Sequence, residues 1–222
     1  MSDSKAESVV PQLLPIEINN EARKNIMLVN TIKMLTERKL LDPAKLEQNC
    51  ALYKGQQSDS LEWKIELLPN NHLNSKFFVL KIINQKITSI SKSSLIADFL
   101  NQYKNDPKIV IVSNISEKIM YSIKHDSNYP NTELFLGKEM MANIVEHISV
   151  PKHILLSDEE LKDVLNSYHA KRREMPEILE TDPIARYYNA KIGQMFRIIR
   201  VSETTGNAPY YRLVIRGQIK TS

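Results

Sequence analysis

The sequence predicts a mixed α and β protein in two parts: an α/β N-terminal domain over residues 19–146 and a small α+β C-terminal domain over residues 147–222. Between Leu61 and Leu136 the hydrophobic patterns run strand, strand, helix, strand, helix, strand, which is typical of a layered α/β architecture. Most of the arginines follow residue 147, and this change of composition indicates the domain boundary.

The N-terminal segment and the overall amino-acid composition indicate the class of protein. Residues 1–18 have no hydrophobic period and are predicted to form a flexible tail. With 42% hydrophobic and 25% charged residues the chain has an ordinary soluble composition, without a run that could span a bilayer and without a signal peptide. A net charge of +4 permits contact with a polyanion but does not require it.

Few residues point to metal or thiol chemistry. Cys50 is the single cysteine, so an internal disulfide framework is excluded and a reducing compartment is favoured. We interpret Cys50 as a core residue. His147 and His153 have no cysteine partners and a spacing unlike that of zinc sites, so we predict no metal site, cofactor or catalytic residue.

The N-terminal domain is predicted from hydrophobic periodicity and helix-start signals. A first helix carries Leu28, Ile32 and Leu35 on one face, and Asp42-Pro43 begins a second helix that ends at Gly55. The further predicted elements are strands near 61–67, 77–83, 108–112 and 133–136, and helices near 95–103 and from Ser116 onward.

The C-terminal domain is predicted from capping and turn signals. Residues 144–148 are predicted to form a strand, and Ser157 with Glu160 to form a capping box. The helix that follows is expected to bury Leu161, Val164, Leu165 and Tyr168. Asp182-Pro183 begins a short helix that Asn189 ends, and Gly193 provides a turn.

A β-hairpin is predicted to close the chain. Its first strand runs from Met195 to Arg200, and we expect one apolar face and one face that carries Arg197 and Arg200. The polar turn formers from Ser202 to Gly206 connect it to a return strand from Tyr210 to Ile215.

Several of these motifs together resemble a known family. They are Asp182-Pro183-Ile184-Ala185-Arg186-Tyr187-Tyr188, Gly193-Gln194, Arg197-Ile198-Ile199-Arg200, Ser202-Glu203-Thr204 and Tyr211-Arg212-Leu213-Val214, preceded by Val150-Pro151-Lys152-His153 and Leu156-Ser157-Asp158-Glu159-Glu160. In this order and spacing they resemble the C-terminal domain of the fifth-largest shared subunit of eukaryotic nuclear RNA polymerases, which has an archaeal counterpart in the same family. The resemblance covers about the last third of the chain. Asn189 in place of a glycine and Val201 in place of a proline indicate a divergent member, with a virus as one possible source.

The resemblance implies that the two domains have different roles. The C-terminal domain is expected to assemble with the largest subunit and other polymerase subunits, as one copy in a hetero-oligomer without membrane contact. The N-terminal domain is expected to be a jaw with restriction-endonuclease-like layers but no catalytic site, beside downstream DNA. Such a protein works in the nucleus of a cell, or at a cytoplasmic replication site or in the virion of a virus.

The residues expected to contact a partner or nucleic acid are taken from the motifs that carry the resemblance. For partner binding they are Arg186, Tyr187, Gly193, Arg197, Arg200, Ser202, Glu203, Thr204, Tyr211 and Arg212. We expect Arg186, Arg200, Glu203 and Arg212 to serve assembly more than folding, because a buried charge is costly without a partner. In the jaw, the loop from Ser113 to Lys118 corresponds to the DNA-facing loop of the family. Ser116 and Lys118 are its nucleic-acid candidates, although a helix cap and a solvated lysine are the simpler explanations of these two residues.

Two alternatives remain open at this point. Glu62-Trp63-Lys64 on a strand, with Asp42 or Asp59 upstream, resembles the magnesium site of restriction-type nucleases, where carboxylates hold the metal and a lysine faces the phosphate. Glu and Lys two positions apart are also common on a solvated strand face. A free-standing DNA-binding protein is the other alternative, and the mild net charge argues against it.

Overall fold

The computed structural model describes residues 19–56, 61–87, 95–202 and 206–217, so the predicted N-terminal tail lies outside these ranges. The helices are α1 (Asn20–Glu37), α2 (Leu46–Gly55), α3 (Leu95–Gln102), α4 (Glu117–Lys124), α5 (Asp158–Ser167) and α6 (Pro183–Tyr187). The strands are β1 (Glu62–Glu66), β2 (Phe77–Ile87), β3 (Lys108–Ile115), β4 (Thr132–Leu136), β5 (Lys152–Leu155), β6 (Glu177–Leu179), β7 (Met195–Ser202) and β8 (Gly206–Ile215). The predicted mixed α/β class is confirmed, and the domain boundary at residue 147 stays a prediction.

The first sheet has the strand order β1-β2-β3-β4. Strand β1 is antiparallel to β2, whereas β2, β3 and β4 are parallel, and α3 and α4 supply the crossovers that parallel neighbours need. Ile82, Ile109 and Ile111 pack with α1 and α2 in one core, and Val79, Val110 and Val112 pack with α3 and α4 in another. The sheet is therefore covered on both faces, as the continuous apolar run in β3 predicts.

Helix α1 has the predicted buried face. The side chain of Asn19 accepts a hydrogen bond from the amide of Glu21 at 2.6 Å and so caps the helix. Leu28, Ile32 and Leu35 are at most 1% exposed, which confirms the row expected from periodicity. Cys50 of α2 packs at the edge of the same core, and burial raises the pKa of its thiol.

The second sheet has the strand order β5-β7-β8-β6. Strands β7 and β8 form the predicted antiparallel hairpin, β5 adds to β7, and β6 runs parallel to β8. Helix α5 begins with the predicted capping box. The amide of Glu160 donates to Ser157 Oγ at 3.2 Å and the amide of Ser157 donates to Glu160 Oε2 at 2.8 Å.

Helix α6 begins and ends where the sequence predicts. Asp182 Oδ1 accepts from the amide of Ile184 at 2.8 Å, and Pro183 is the first helical residue. Asn189 has a φ of 48°, and the next amide, that of Ala190, returns to the carbonyl of Ala185 at 2.8 Å. This left-handed residue ends the helix and directs the chain into β7.

Three local predictions are wrong. Residues 144–148 do not form a strand: Ile144–Glu146 is a 3-10 turn, in which the amide of Glu146 donates to the carbonyl of Asn143. Tyr168 follows the last turn of α5 and is 58% exposed, so it does not belong to the buried stripe. Arg197 and Arg200 lie on opposite faces of β7, because they are three positions apart and a strand alternates every two.

Charged contacts join the two sheets. Arg38, at the end of α1, donates to both carboxylate oxygens of Glu133 in β4, at 2.8 and 2.7 Å. The same guanidinium donates to the carbonyls of Tyr187 and Arg186 in α6, at 2.7 and 3.1 Å. On the other side of the sheet, Lys124 lies 3.3 Å from the buried carboxylate of Glu180, which follows β6.

Candidate partner-binding surface

The β7–β8 hairpin presents two faces with different arginines. The pairing of Ile198 with Tyr210 and of Arg197 with Tyr211 sets which side chains share a face. The Tyr210 face consists of Phe196, Ile198, Arg200, Tyr210, Arg212 and Val214, and the Tyr211 face consists of Met195, Arg197, Ile199, Tyr211 and Leu213. The apolar residues at the start of β7 and the end of β8 are buried. Arg212 lies opposite Phe196 near this buried end, whereas Arg200 lies nearer the connection between the strands.

On the Tyr210 face, two guanidinium groups lie near one aromatic ring. The guanidinium carbon of Arg200 is 4.9 Å and that of Arg212 is 5.6 Å from the centroid of Tyr210. Both distances are within the range of cation–π attraction. Arg212 Nε is buried and has no hydrogen-bond partner in the structure as described.

His153 of β5 lies beside these cations. Its Nδ1 is 2.7 Å from the carbonyl oxygen of Pro151, so Nδ1 is the donating nitrogen. Burial lowers the pKa of His153, and the positive charges of Arg212 and Arg200 lower it further. The neutral imidazole therefore adds no charge to this face at neutral pH.

On the Tyr211 face, Arg197 lies 5.9 Å from the centroid of Tyr211. The Tyr211 ring also meets the Tyr168 ring edge to face, with centroids 5.7 Å apart. Arg197, Ile199, Pro209 and Tyr211 line an open depression of about 390 Å³. This depression combines apolar walls with a cation, a composition that is typical of protein-binding surfaces.

The three arginines of the hairpin differ from Arg38 and Arg186, which form ion pairs with Glu133 and Glu139. Among the described residues, Arg197, Arg200 and Arg212 form no ion pair. A guanidinium stacked on a ring keeps its in-plane donors free for a carboxylate or phosphate. The hairpin is therefore a positively charged surface with aromatic support on both faces.

The remaining expected partner-binding residues divide into two groups. Arg186 and Tyr187 make contacts within the chain: Arg186 pairs with Glu139, and Tyr187 is 6% exposed in the core of the first sheet. Gly193 has a φ of 90°, and its amide donates to the carbonyl of Val214, so it serves the turn before β7. Their contact with a partner stays a prediction.

The structure describes the β7–β8 hairpin only up to the last residue pair before the connection between the two strands. The backbone of Ser202 pairs with Gly206 at the end of the ladder. Glu203 and Thr204, two of the expected contact residues, lie outside the described residues.

The two nucleic-acid candidates lie at the start of α4. Ser116 Oγ accepts from the amide of Ile119 at 3.4 Å, which is the helix cap that the sequence offered as the simpler explanation. Lys118 is exposed on the first turn. Both side chains face solvent, and their contact with DNA stays a prediction.

The residues of the nuclease alternative make other contacts. The carboxylate of Glu62 accepts from the hydroxyl of Tyr103 and lies 3.4 Å from Lys81 Nζ. Lys64 lies over the ring of Tyr103, and Asp42 caps the 3-10 turn before α2. Asp59 is outside the described residues, within which no group of three potential metal ligands occurs.

Sequence reasoning overlooked Tyr210 and His153. Tyr210 is two positions from Arg212 in one strand, so alternation alone was sufficient to place them on the same face. His153 reaches this face through the pairing of β5 with β7, which no local pattern reveals. The described helices include none that could cross a membrane.

Comparisons with known proteins agree with this architecture. The family described as RNA polymerase Rpb5, C-terminal domain, matches residues 142–214. The DNA-directed RNA polymerase subunit 5 of Acanthamoeba polyphaga mimivirus is 30% identical over 213 residues, which cover 91% of this chain and 97% of that protein.

Cellular relatives match over shorter regions. The subunit RPABC1 of DNA-directed RNA polymerases I, II, and III from Caenorhabditis elegans is 38% identical over 107 residues, 48% of this chain and 51% of the relative. The subunit Rpo5 of Methanosarcina acetivorans is 44% identical over 73 residues, 33% of this chain and 94% of the relative. Because one relative is matched over nearly its whole length and the C-terminal domain is matched independently, the chain belongs to the Rpb5 family of DNA-directed RNA polymerase subunits.

Proposed function

We propose that this chain is a non-catalytic subunit of a multisubunit DNA-dependent RNA polymerase and acts in transcription. Relatives from a virus, from eukaryotes and from archaea are named as subunits of such polymerases, and this breadth supports the assignment. The chain then works wherever its polymerase works: in the nucleus for a cellular enzyme, or at a cytoplasmic replication site or in the virion for a viral one.

The C-terminal domain docks on the largest subunit through the β7–β8 hairpin. The observation that carries this proposal is the set of three arginines, Arg197, Arg200 and Arg212, which lie over tyrosine rings. Arginine and tyrosine are enriched at protein interfaces, where the ring excludes water and the guanidinium binds acidic groups. A partner surface with carboxylates on both sides of the hairpin complements this arrangement.

The N-terminal domain is the jaw beside downstream DNA. Support comes from the three-layer arrangement of helices around a mixed sheet, which is compatible with restriction-endonuclease-like layers. Ser116 and Lys118 are exposed at the start of α4, on the side of the sheet where the parallel strands end. In this arrangement they meet the DNA backbone rather than base edges.

Affinity purification tests this assignment. The full chain, tagged at its N-terminus, is expressed in the cells or infected cells of its source, and the co-purifying chains are identified by mass spectrometry. We expect the largest polymerase subunit among the main co-purifying chains. Purification of the intact chain without any large polymerase subunit would contradict the proposal.

A further inference from the structure

Residues 180–188 connect β6 to the turn before β7, and we call this segment the strap. The amide of Glu180 donates to the carbonyl of Ile215 in β8 at 2.9 Å, which attaches the beginning of the strap to the second sheet. Just beyond its end, the amide of Gly193 donates to the carbonyl of Val214 in the same strand at 2.9 Å. The strap is therefore anchored at both ends to the second sheet.

The middle of the strap contributes to the cores of both sheets. Ala185 is fully buried in the core of the second sheet, whereas Tyr187 is buried in the core of the first sheet. Tyr188 packs against both cores, and its ring centroid lies 5.2 Å from that of Tyr187 and 5.7 Å from that of Phe196 in β7. Moving the sheets apart would expose apolar surface on both sides of α6, which is unfavourable.

Helices on opposite faces of the first sheet hold the strap by polar contacts. On the face covered by α1, Arg38 donates to the carbonyls of Tyr187 and Arg186 at 2.7 and 3.1 Å. On the face covered by α4, Lys124 Nζ lies 3.3 Å from Glu180 Oε2. The two ends of the strap are thus held from different sides of the same sheet.

Between these two contacts the strap crosses the edge of the first sheet. Strand β4 is the last strand in the order of that sheet. Arg186 Nη2 donates to the carbonyl of Leu134 in β4 at 2.7 Å, and the same guanidinium pairs with Glu139. An edge strand presents unpaired backbone groups that can pair with another chain, so this contact also protects part of the edge.

The charged contacts of the strap oppose small movements between the sheets. The side chains of Glu180 and Arg38 are 5% and 4% exposed. A small hinge movement would lengthen their contacts while water remained excluded, and a buried charge that loses its partner is strongly destabilising. Two domains of one chain are expected to move relative to each other unless their interface is extensive and apolar. The strap combines apolar contacts with paired charges at this interface.

We propose that the strap holds the two sheets in one fixed orientation, so that the chain moves as a single rigid body. This orientation is a property of the isolated chain. One consequence rests on the proposed function: a partner that binds the β7–β8 hairpin also determines where the first sheet lies. The jaw is then positioned by assembly of the second sheet with the polymerase.

Distances between pairs of spin labels in the purified full chain test the proposal. In a Cys50→Ala background, double electron–electron resonance is measured between labels at the exposed positions of Asp98→Cys in α3 and Lys162→Cys in α5. A reference pair combines Asp98→Cys with Gln48→Cys in α2, because α2 and α3 both pack on the first sheet. The first pair reports movement between the sheets, and the second reports movement within one sheet.

The strap variant combines Glu180→Gln with Arg186→Ala. It removes the contacts with α4 and with the edge of the first sheet, and it keeps Arg38. The matched control combines Glu177→Gln with Arg173→Ala, which removes the same types of charge from two exposed positions of the second sheet region. Circular dichroism verifies that each variant is folded.

In the unchanged chain we expect the distance distribution between the sheets to be as narrow as that of the reference pair. In the strap variant it should widen about twofold or more, since relative movement is the default for domains without a firm interface. The control variant and the reference pair should keep their widths. If the strap variant does not fold, Lys124→Gln takes its place with the same expectation, because it removes only the cation beside Glu180.

A broad or multiple distribution between the sheets in the unchanged chain would overturn the proposal, whatever the variants show. An unchanged width in the folded strap variant, or equal widening in the control variant, would overturn it as well. Because the measurement contains no polymerase, a rigid chain that does not co-purify with polymerase refutes only the proposed function. A flexible chain that does co-purify refutes only the rigid strap.

Discussion

Arg186 and Glu139 form a two-point contact between the two sheets. Arg186 Nη1 lies 2.8 Å from Glu139 Oε1, and Nη2 lies 3.0 Å from Oε2. The same guanidinium donates to the carbonyl of Leu134 at 2.7 Å and lies 4.9 Å from the ring centroid of Phe135. Since Arg186 belongs to α6 and its partners follow or form β4, this one side chain links the second sheet to the first.

Replacing Arg186 should therefore lower stability. The Arg186→Ala variant loses charged hydrogen bonds in a site where the arginine side chain is only 17% exposed. We expect the free energy of unfolding, measured by urea denaturation, to fall by roughly 1.5 to 3 kcal/mol. Arg173→Ala is the control, because that side chain is 78% exposed and its loss should change stability by less than about 0.5 kcal/mol. Equal stability of both variants would show that the contact contributes nothing.

Replacing Arg38 should lower stability more than replacing Arg186. Its side chain is 4% exposed and holds Glu133, which is 13% exposed, together with two carbonyls of α6. The Arg38→Met variant keeps most of the apolar volume but leaves the Glu133 carboxylate buried without its partner. We expect a loss of roughly 3 to 5 kcal/mol in the free energy of unfolding.

The double variant Arg38→Met with Glu133→Leu tests the cause of that loss. Because it removes both charges, it should recover part of the stability. No recovery would indicate that the hydrogen bonds to the carbonyls of Tyr187 and Arg186 dominate.

The buried Lys108 should make the free energy of unfolding depend on pH in the alkaline range. Its ammonium group is buried and donates to the carbonyls of Tyr103 and Asp106 at 2.8 and 3.0 Å. Burial lowers the pKa of Lys108 from 10.5 to about 8. Between these two values the unfolded chain binds the proton more strongly than the folded chain, so this group makes the folded state more stable as pH rises.

The measurement compares unfolding free energies between pH 8 and 10 in the unchanged chain and in Lys108→Met. The contribution of Lys108 to the slope is positive and at most about 1.4 kcal/mol per pH unit. The variant should lack this contribution. Identical slopes in the two proteins would refute the lowered pKa.

Local signals account for the elements that the sequence predicts well. The cap at Asp182-Pro183 and the capping box of Ser157 and Glu160 each depend on side chains within three positions of the amides they bind. The buried row of α1 follows from helical periodicity in the same way. These interactions are encoded in short segments and need no knowledge of the fold.

The contacts between the two sheets depend on the fold. Arg38 and Glu133 are separated by 95 positions and Arg186 and Glu139 by 47, and no sequence period relates them. The sequence therefore predicted an assembly role for Arg186 where the structure places an internal contact. The β-branched residues near Ile144 favoured a strand, but the backbone there bonds within its own 3-10 turn.

The proposed docking through the hairpin rests on Arg200 and Arg212, which share the Tyr210 face and have no ion pair among the described residues. The most direct test is quantitative co-purification of the largest polymerase subunit with the tagged double variant Arg200→Ala and Arg212→Ala. The control is Arg172→Ala with Arg173→Ala, which removes two exposed charges of the same domain. We expect recovery of the largest subunit to fall at least about tenfold, while circular dichroism and the urea midpoint remain close to those of the unchanged chain. Full recovery of the largest subunit with the folded double variant would contradict docking through this hairpin.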